Sequence, residues 1–163
     1  GEGQVIALDY GSTSQMMALE LRERFRNLSV VTNSIQNALI LAENPGITII
    51  LTGGILNRDE YTLVNDFSST LESIHIDIMF MTVTGIDPAI GCTDQRLSEI
   101  RIQNQMHRCA SRTIVLADSS KFGKASLLKI CPFDEVDTIV TDSGISPELE
   151  SRIRETGANL IIT

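Results

Sequence analysis

The stretch Val5-Ile6-Ala7-Leu8-Asp9-Tyr10-Gly11-Ser12-Thr13-Ser14 joins an apolar run to small polar residues, and a helical pattern begins directly after it. This order is typical of a buried strand, a tight loop and a helix start. The first backbone N–H groups of a helix have no intrahelical acceptor, so together with nearby hydroxyl groups they can hold an anion such as phosphate. The sequence therefore predicts a strand, a phosphate-binding loop and a helix that Ser12 caps.

Polar residues also follow later apolar runs of the chain. In an open α/β sheet, ligands bind beyond the carboxyl ends of the strands, so we expect several of these clusters to converge on one small phosphorylated ligand. The clusters are Thr32-Asn33-Ser34, Thr52-Gly53-Gly54, Thr84-Gly85-Ile86-Asp87, Asp118-Ser119-Ser120-Lys121 and Thr141-Asp142-Ser143.

Apolar runs rich in β-branched residues predict strands, and helical patterns separate most of them. Continuous rather than alternating runs are typical of strands that are buried on both faces. The fold class predicted from this alternation is α/β, with a mostly parallel sheet, helices on both faces and right-handed crossovers. The predicted strands are residues 5–8, 28–31, 48–51, 78–83, 113–117, 138–140 and 159–162.

Helical periodicity, together with start and stop signals, predicts the helices. Ser12, Ser34 and Ser146 are expected to cap helices, and Pro147 suits a first helical turn. The segments 56–62 and 87–93 are predicted as loops, which either cover a ligand or are plain connections. The predicted helices begin at Ser12 and end near Phe25, begin at Ser34 and end before Asn44, cover about 64–73 and about 95–111, and begin at Ser146 and end at Gly157.

Length and composition bound the class of protein. A chain of 163 residues with 42% apolar content fits one domain with its own core, and no repeat or linker divides residues 1–163. The net charge of −8, with scattered Lys and Arg, argues against DNA binding by this domain. The apolar runs are too short for a membrane span and no signal-peptide pattern is present, which favours a cytoplasmic protein without a membrane partner.

Metal and cofactor motifs are missing from the sequence. The spacing of Cys92, Cys109 and Cys131 matches no zinc or redox motif, which indicates reduced thiols. No G-x-G-x-x-G follows the first strand, and Gly123-Lys124-Ala125 lacks the other features of a nucleotide P-loop. We therefore expect neither a metal nor a cofactor.

The strongest candidates for a phosphate site lie on the first loop. Gly11 lets the backbone approach a ligand closely, and Ser12 and Thr13 offer hydroxyl and N–H groups. Asp9 is expected to accept a sugar hydroxyl or to brace the loop, because its charge repels phosphate. Lys121 is the best cationic partner for an anion at the sheet edge. An ordinary helix cap by Ser12 is the structural alternative.

Weaker candidates follow the second and third predicted strands. Thr32, Asn33 and Ser34 form a cap-like turn in which the Asn33 side chain can orient a ligand. Gly53 and Gly54 suit either a close ligand or a tight turn.

The remaining candidates each have a structural alternative as well. Arg58 can reach back to a phosphate or remain a solvated surface residue. Gly85 and Asp87 follow a strongly apolar run, and a carboxylate there can bind sugar hydroxyls or act in proton transfer. Asp142 is interpreted as structural.

Taken in order, these motifs resemble the C-terminal sensor domain of DeoR-family bacterial transcription regulators. The most specific parts are the Thr-Asn-Ser turn and the Asp-Ser-Ser-Lys-Phe-Gly stretch of residues 118–123. The resemblance implies a fold like that of ribose-phosphate isomerase, glucosamine-phosphate deaminase and CoA transferase. It also implies a phosphorylated sugar as effector, a homodimer or homotetramer, and a winged helix-turn-helix before this domain that binds operator DNA. That DNA-binding domain is absent from residues 1–163, so we expect a fragment of a longer regulator.

The resemblance also implies roles for individual residues. Gly11, Ser12, Thr13 and Lys121 would contact the phosphate. At Asn65 the family often has glycine, so no site role is assigned there. The sugar end would be held by Asp9, Asn33 and Asp87, with close backbone approach at Gly53, Gly54 and Gly85.

Because ribose-phosphate isomerases share this architecture, an enzyme must be weighed against a sensor. By resemblance, the isomerases carry a glutamate base on the helix before the Asp-x-Ser-Lys segment. Gln103 stands near that position and an amide cannot act as the base, while Glu99 lies one turn earlier. We therefore expect a non-catalytic sensor that acts as a repressor of sugar metabolism. A sugar-phosphate isomerase and an oligomerisation module with a vestigial pocket are the alternatives.

Overall fold

The computed structural model describes residues 1–64 and 71–163. Within them the chain alternates strands and helices, as the sequence predicts. The elements are β1 (Val5–Leu8), α1 (Ser12–Arg24), β2 (Leu28–Thr32), α2 (Ile35–Leu41), β3 (Ile47–Leu51), β4 (Ile55–Asn57), β5 (Thr62–Val64), β6 (Ile76–Thr82), β7 (Gly85–Asp87), β8 (Gly91–Asp94), α3 (Ile100–Cys109), β9 (Ala110–Leu116), β10 (Leu128–Cys131), β11 (Thr138–Thr141), α4 (Pro147–Glu155) and β12 (Asn159–Ile162).

Seven strands form one parallel sheet in the order β12-β11-β9-β6-β1-β2-β3. All seven predicted strands lie in it, with ends that differ by up to three residues, so the predicted fold class is confirmed. The chain first moves from β1 to β2 and β3, and then returns to place β6 on the other side of β1. The strand order therefore changes direction between β1 and β6, which is where open α/β sheets bind ligands.

Helices cover the two faces of the sheet in pairs. On one face Leu21 of α1 and Leu41 of α2 pack with Ile6 and Val30 of the central strands. On the other face α3 and α4 contribute to a larger core, which contains Met106 among its buried residues. In the described part of the chain, no helix is long and apolar enough to cross a membrane.

Two of the three predicted serine caps are confirmed. The Ser34 side chain accepts a hydrogen bond from Asn37 N at the start of α2, and Ser146 accepts one from Leu149 N at the start of α4. The prediction for Ser12 was wrong, because Gly11 is the N-cap of α1 and Ser12 is its first helical residue. Gly11 has a φ of 105°, which closes the loop one residue earlier than a serine cap would.

The helix predicted over 95–111 is shorter in the structure. Asp94 Oδ1 accepts hydrogen bonds from Gln95 N (2.6 Å) and Arg96 N (3.0 Å), and this turn delays α3 to Ile100. Ala110 already begins β9. The predicted helix over 64–73 falls mostly on residues 65–70, which lie outside the described residues. Of its remainder, Val64 ends β5, and Leu71–Ser73 is a short 3-10 helix.

The two segments predicted as loops are β-hairpins, so those predictions were wrong. β4 and β5 pair antiparallel, and β7, β8 and β10 form a small antiparallel sheet. Their strands have three or four residues, too few to show an alternating pattern in the sequence.

Candidate functional site

A cleft of about 110 Å³ lies at the carboxyl edge of the sheet, beyond the ends of β1 and β6. Residues that follow β1 and begin α1 form one wall, and residues at the end of β6 form another. The turn after β8 and the short 3-10 helix after β9 complete it. The lining residues are Tyr10, Gly11, Ser12, Thr13, Thr82, Val83, Thr84, Asp94, Arg96 and Lys121.

The residues at the start of α1 line this cleft. Within the described residues, no side chain accepts a capping hydrogen bond at this helix start. The amides of the first turn also lack intrahelical acceptors, and the helix dipole adds partial positive charge there. The side chains of Ser12 and Thr13 are exposed beside these amides. A phosphate group can therefore accept both amide and hydroxyl hydrogen bonds at one place.

Two cationic side chains line the same cleft. Lys121 ends the 3-10 helix Ser119–Lys121, and its Nζ lies 3.9 Å from Asp118 Oδ2. The pKa of the Asp118 carboxyl is lowered, first by a hydrogen bond from the Ser120 side chain. Arg96 lies with its guanidinium 4.9 Å from the centre of the Tyr10 ring. Arg96 Nε is also 3.3 Å from Glu60 Oε1, so a hairpin residue shares this cation with the cleft.

The Asp9 carboxylate forms the buried base of the site. It accepts hydrogen bonds from Thr82 N (2.6 Å), from Thr82 Oγ1 (3.0 Å) and from Gln103 Nε2 (2.9 Å). Burial raises its pKa from 3.8 to about 7, although these hydrogen bonds act in the opposite direction. The geometry fits the expectation that Asp9 braces the loop, because its carboxylate ties β1 to β6 and α3.

A second carboxylate, that of Asp94, lines the cleft directly. It is buried, and burial raises its pKa. Its Oδ1 accepts two backbone hydrogen bonds, which fixes the turn that carries Arg96. A carboxylate oxygen can accept more than one hydrogen bond, so Asp94 can also receive a hydroxyl donor from a ligand.

Gln103 is part of the scaffold below the cleft. Its Nε2 donates to Asp9 Oδ2 and to Thr82 O, at 2.9 and 2.7 Å. Glu99, the other residue weighed as a base, accepts hydrogen bonds from Asn57 Nδ2 (2.6 Å) and Thr62 Oγ1 (3.0 Å). Both side chains therefore hold elements together, and neither belongs to the described lining of the cleft.

Four of the predicted site residues line the cleft directly. They are Gly11, Ser12, Thr13 and Lys121.

The second predicted cluster, Thr32-Asn33-Ser34, lies elsewhere among the described residues and is buried. Thr32 Oγ1 accepts from Ser34 N at 3.1 Å, and Ser34 caps α2. The carbonyl of Asn33 accepts from Leu63 N at 2.7 Å, so this turn joins β2 to β5. A ligand contact for Thr32, Asn33 and Ser34 stays a prediction.

The third predicted cluster also lies apart from the described lining. Gly53 borders a separate cavity of about 120 Å³, and Gly54 is exposed beside it. Their φ values of 78° and 106° show a tight turn between β3 and β4. Arg58 is exposed in the turn between β4 and β5. Ligand contacts of these three residues stay predictions.

Gly85 and Asp87 serve the β7–β8 hairpin. A Cβ atom on Gly85 would lie 2.6 Å from Thr93 Oγ1 and 2.7 Å from Lys124 O, so close protein packing already requires glycine there. Asp87 Oδ1 accepts hydrogen bonds from Ala89 N and Ile90 N at the hairpin turn. These contacts explain both residues without a ligand, and their expected ligand contacts stay predictions.

Sequence reasoning missed part of the lining. Arg96 and Asp94 come from a short antiparallel strand and its turn, where no carboxyl end of a parallel strand signals a site. Tyr10 lies within the first sequence motif and Thr82 within the predicted strand 78–83, but neither was predicted to be a site residue. The Asp-x-x turn at residues 94–96, a common Asx turn, is the one local signal that could have drawn attention to them.

Comparison with known proteins decides the family. The model for the DeoR C terminal sensor domain matches residues 1–143. The chain belongs to the DeoR family. The sensor domain is 32% identical over 155 residues to the HTH-type transcriptional regulator GolR of Listeria innocua, covering 94% of this chain and 61% of that one. It is 32% identical over 161 residues to a putative aga operon transcriptional repressor of Escherichia coli O157:H7, covering 98% of this chain and 60% of the relative.

The sensor domain thus spans about three-fifths of the length of these curated relatives. A solved D-ribose-5-phosphate isomerase in complex with phospho-erythronic acid matches with a TM-score of 0.55 and 21% identity. That match covers 74% of this chain and 47% of the isomerase, and it establishes the fold alone. Because the family comprises sensor domains of transcriptional regulators, the expectation of a sensor rather than an enzyme is confirmed.

Proposed function

We propose that this sensor domain binds a phosphorylated sugar, with the phosphate at the N-terminus of α1. The proposal rests on three features that favour an anion and that lie in one cleft. These are the free amides that follow Gly11, the hydroxyls of Ser12 and Thr13, and the side chain of Lys121. Arg96 adds a second cation to the lining of the cleft.

The local charge supports an anionic ligand although the domain as a whole is acidic. The net charge of −8 repels anions at long range, but salt screens exposed charges beyond about 8–10 Å. Backbone N–H groups and the two cations act at hydrogen-bond distance, where direct contacts outweigh the screened field.

A polar sugar would lie beside the phosphate. Asp94 lines the cleft and can accept a hydroxyl hydrogen bond, whereas the hydroxyl of Thr84 already donates to Ser126 Oγ at 2.9 Å. The Asp9 carboxylate is buried beneath the loop and already has its donors, so we assign it to positioning rather than to contact. A ligand with hydroxyl groups next to its phosphate satisfies both the cations and Asp94.

We further propose that the effector controls binding of operator DNA through a helix-turn-helix domain that precedes this one, as a repressor of sugar metabolism in the cytoplasm. The names of the relatives, a regulator and an operon repressor, support the transcriptional role. An effector changes DNA affinity only if it binds one arrangement of the regulator more tightly than another. A dimer or tetramer would supply such arrangements.

The test is calorimetric titration with matched pairs of sugars, each in phosphorylated and unphosphorylated form. We expect at least one phosphorylated member to bind while its partner does not. Replacing Lys121 should weaken that binding about tenfold or more, because a charge-assisted hydrogen bond contributes about 1.5–3 kcal/mol. Lys124→Ala is the matched control, since Lys124 is exposed three residues away and outside the described lining of the cleft.

Two results would count against the proposal. Equal affinity for the phosphorylated and the unphosphorylated sugar of a pair would show that the domain does not recognise the phosphate group. Equal losses for Lys121→Ala and Lys124→Ala would show that general charge, and not this cleft, attracts the ligand.

A further inference from the structure

Among residues 1–64 and 71–163, no helix covers one half of a sheet face, although parallel strands normally have helices on both faces. On the face that α1 and α2 cover, Phe80 of β6 pairs with Ile114 of β9, and Leu116 pairs with Val140 of β11. Val140 in turn pairs with Ile161 of β12. Residues paired in neighbouring parallel strands point to the same face, so these side chains form one continuous apolar stripe.

Three side chains of this stripe are accessible to solvent in the described structure, whereas Leu116 is buried. Ile114 and Val140 are half-buried, Ile161 is 45% exposed, and none of the three belongs to either apolar core. The helices of the described residues pack elsewhere, with α1 and α2 over β1 to β3 and part of β6, and α3 and α4 on the opposite face. We call this surface the open face; it comprises Ile78, Phe80, Ile114, Leu116, Val140 and Ile161.

A groove of about 310 Å³ marks the place where a further helix would lie. Met17 of α1 and Phe25 at its C-cap form one wall, and Ile78 and Phe80 of β6 form the floor. Packed helices lie about 8–10 Å apart, which is close to the width of two strands at about 4.8 Å each. A helix that continues the α2–α1 layer would therefore lie over β6 and β9, directly on the open face.

We propose that the open face binds a helix from the segment that precedes Gly1 in the longer regulator. Gly1 and Gln4 themselves line the groove, so residues that enter before Gly1 start at its mouth. The matched family is by its description a C-terminal domain, and this chain spans 61% of GolR. Chain of the required length is therefore available in such regulators, and it comes before the sensor domain.

The groove also sets the chemistry of the helix. Its apolar floor requires an amphipathic helix with an apolar stripe. Glu20 and Arg24 of α1 line the rim, and the exposed Arg112 pairs in register with Ile78 at the base of the open face. An acidic residue on the docked helix near Arg112 would complete the interface, because Glu20 is already paired with Arg24.

Docking there would connect the helix with the effector cleft. α1 presents Ser12 and Thr13 to the cleft and Met17 to the groove, and β6 presents Thr82 to the cleft and Phe80 to the groove. The preceding segment would thus contact both elements that also hold the ligand. The docking itself rests on family membership and requires no effector, so it can be tested independently of the proposed function.

The test compares thiol labelling of Ile114→Cys in this domain and in the full-length regulator encoded by the natural gene. A maleimide reports access to the open face directly. Leu127→Cys is the matched control, because Leu127 is 73% exposed and lies outside the open face. Proteins without either substitution give the background from Cys92, Cys109 and Cys131, of which Cys92 and Cys131 are buried. Circular dichroism checks that each variant is folded.

We expect Ile114→Cys to react about tenfold more slowly, or slower still, in the full-length regulator, as a ten-to-one preference for the docked state requires. Leu127→Cys should react equally in both proteins. Equal rates for Ile114→Cys in the two proteins would overturn the proposal. Protection that is already present in the isolated domain and disappears on dilution would also overturn it, because a second copy would then be the occupant.

Discussion

The buried carboxylate of Asp9 should make the stability of the domain depend on pH in a way that one substitution isolates. In the folded state burial raises its pKa from 3.8 to about 7. Between these values the folded chain keeps a proton on Asp9 that the unfolded chain has released. Stability must therefore fall as pH rises through this window, and it must stop falling above about pH 7.

The magnitude follows from the size of the shift. One pKa unit corresponds to about 1.4 kcal/mol, so the slope is about −1.4 kcal/mol per pH unit. Across the whole window, from 3.8 to about 7, the contribution amounts to about 4 kcal/mol. Other groups also titrate there, but they are the same in Asp9→Asn. The pH dependence of the difference in unfolding free energy therefore reports mainly Asp9, with a smaller part from Asp94, whose charge also raises the pKa of Asp9.

The assay is urea unfolding of both proteins at a series of pH values from 5 to 8, with the difference plotted against pH. We expect the advantage of the unsubstituted protein over Asp9→Asn to shrink by about 1.4 kcal/mol per unit and to level off near pH 7. If the difference in unfolding free energy does not change with pH, Asp9 does not hold a proton in the folded state. The hydrogen bonds from Thr82 and Gln103 would then outweigh burial and keep Asp9 ionised. If Asp9→Asn does not fold, a ¹³C NMR titration of the Asp9 carboxyl gives the same midpoint directly.

Two further predictions concern the helix starts. Ser34→Ala should lower the free energy of unfolding by about 1 kcal/mol because it removes the cap of α2, whereas Ser12→Ala should leave it nearly unchanged because Ser12 caps nothing; equal losses in urea unfolding would contradict this pair. Gly11→Ala should cost about 1–3 kcal/mol through backbone strain at φ 105° and not through a clash, since the nearest atom to an added Cβ is 3.9 Å away. If Gly11→Ala unfolds at the same temperature as the unsubstituted domain, the expected backbone strain is absent.

The parallel sheet could be predicted because its strands are centred on continuous runs of aliphatic residues, with helical patterns between most of them. Residues 5–8 and 159–162 were predicted to the residue, since polar residues bound both runs sharply. The hairpins could not be predicted, because strands of three residues such as Gly85–Asp87 have no periodicity to detect. The start of α3 was placed too early, because a side chain of Asp94 competes with the helix for the amides of the first turn.

For the site, the rule that ligands lie at the carboxyl ends of strands placed Gly11, Ser12, Thr13 and Lys121 in one cleft. The same rule grouped Asn33 with them, although the β2 end is used to hold β5. Which strand ends face a cleft depends on tertiary packing, and sequence alone does not carry that information.

Phosphate binding by the first-turn amides of α1 can be observed residue by residue in a ¹⁵N NMR titration of the domain. The titrants are inorganic phosphate and the phosphorylated sugars that bind in calorimetry. We expect the largest amide shifts at Ser12 and Thr13, with a smaller response at Lys121. Saturable shifts centred on another part of the chain, with the Ser12 and Thr13 amides unmoved, would contradict it.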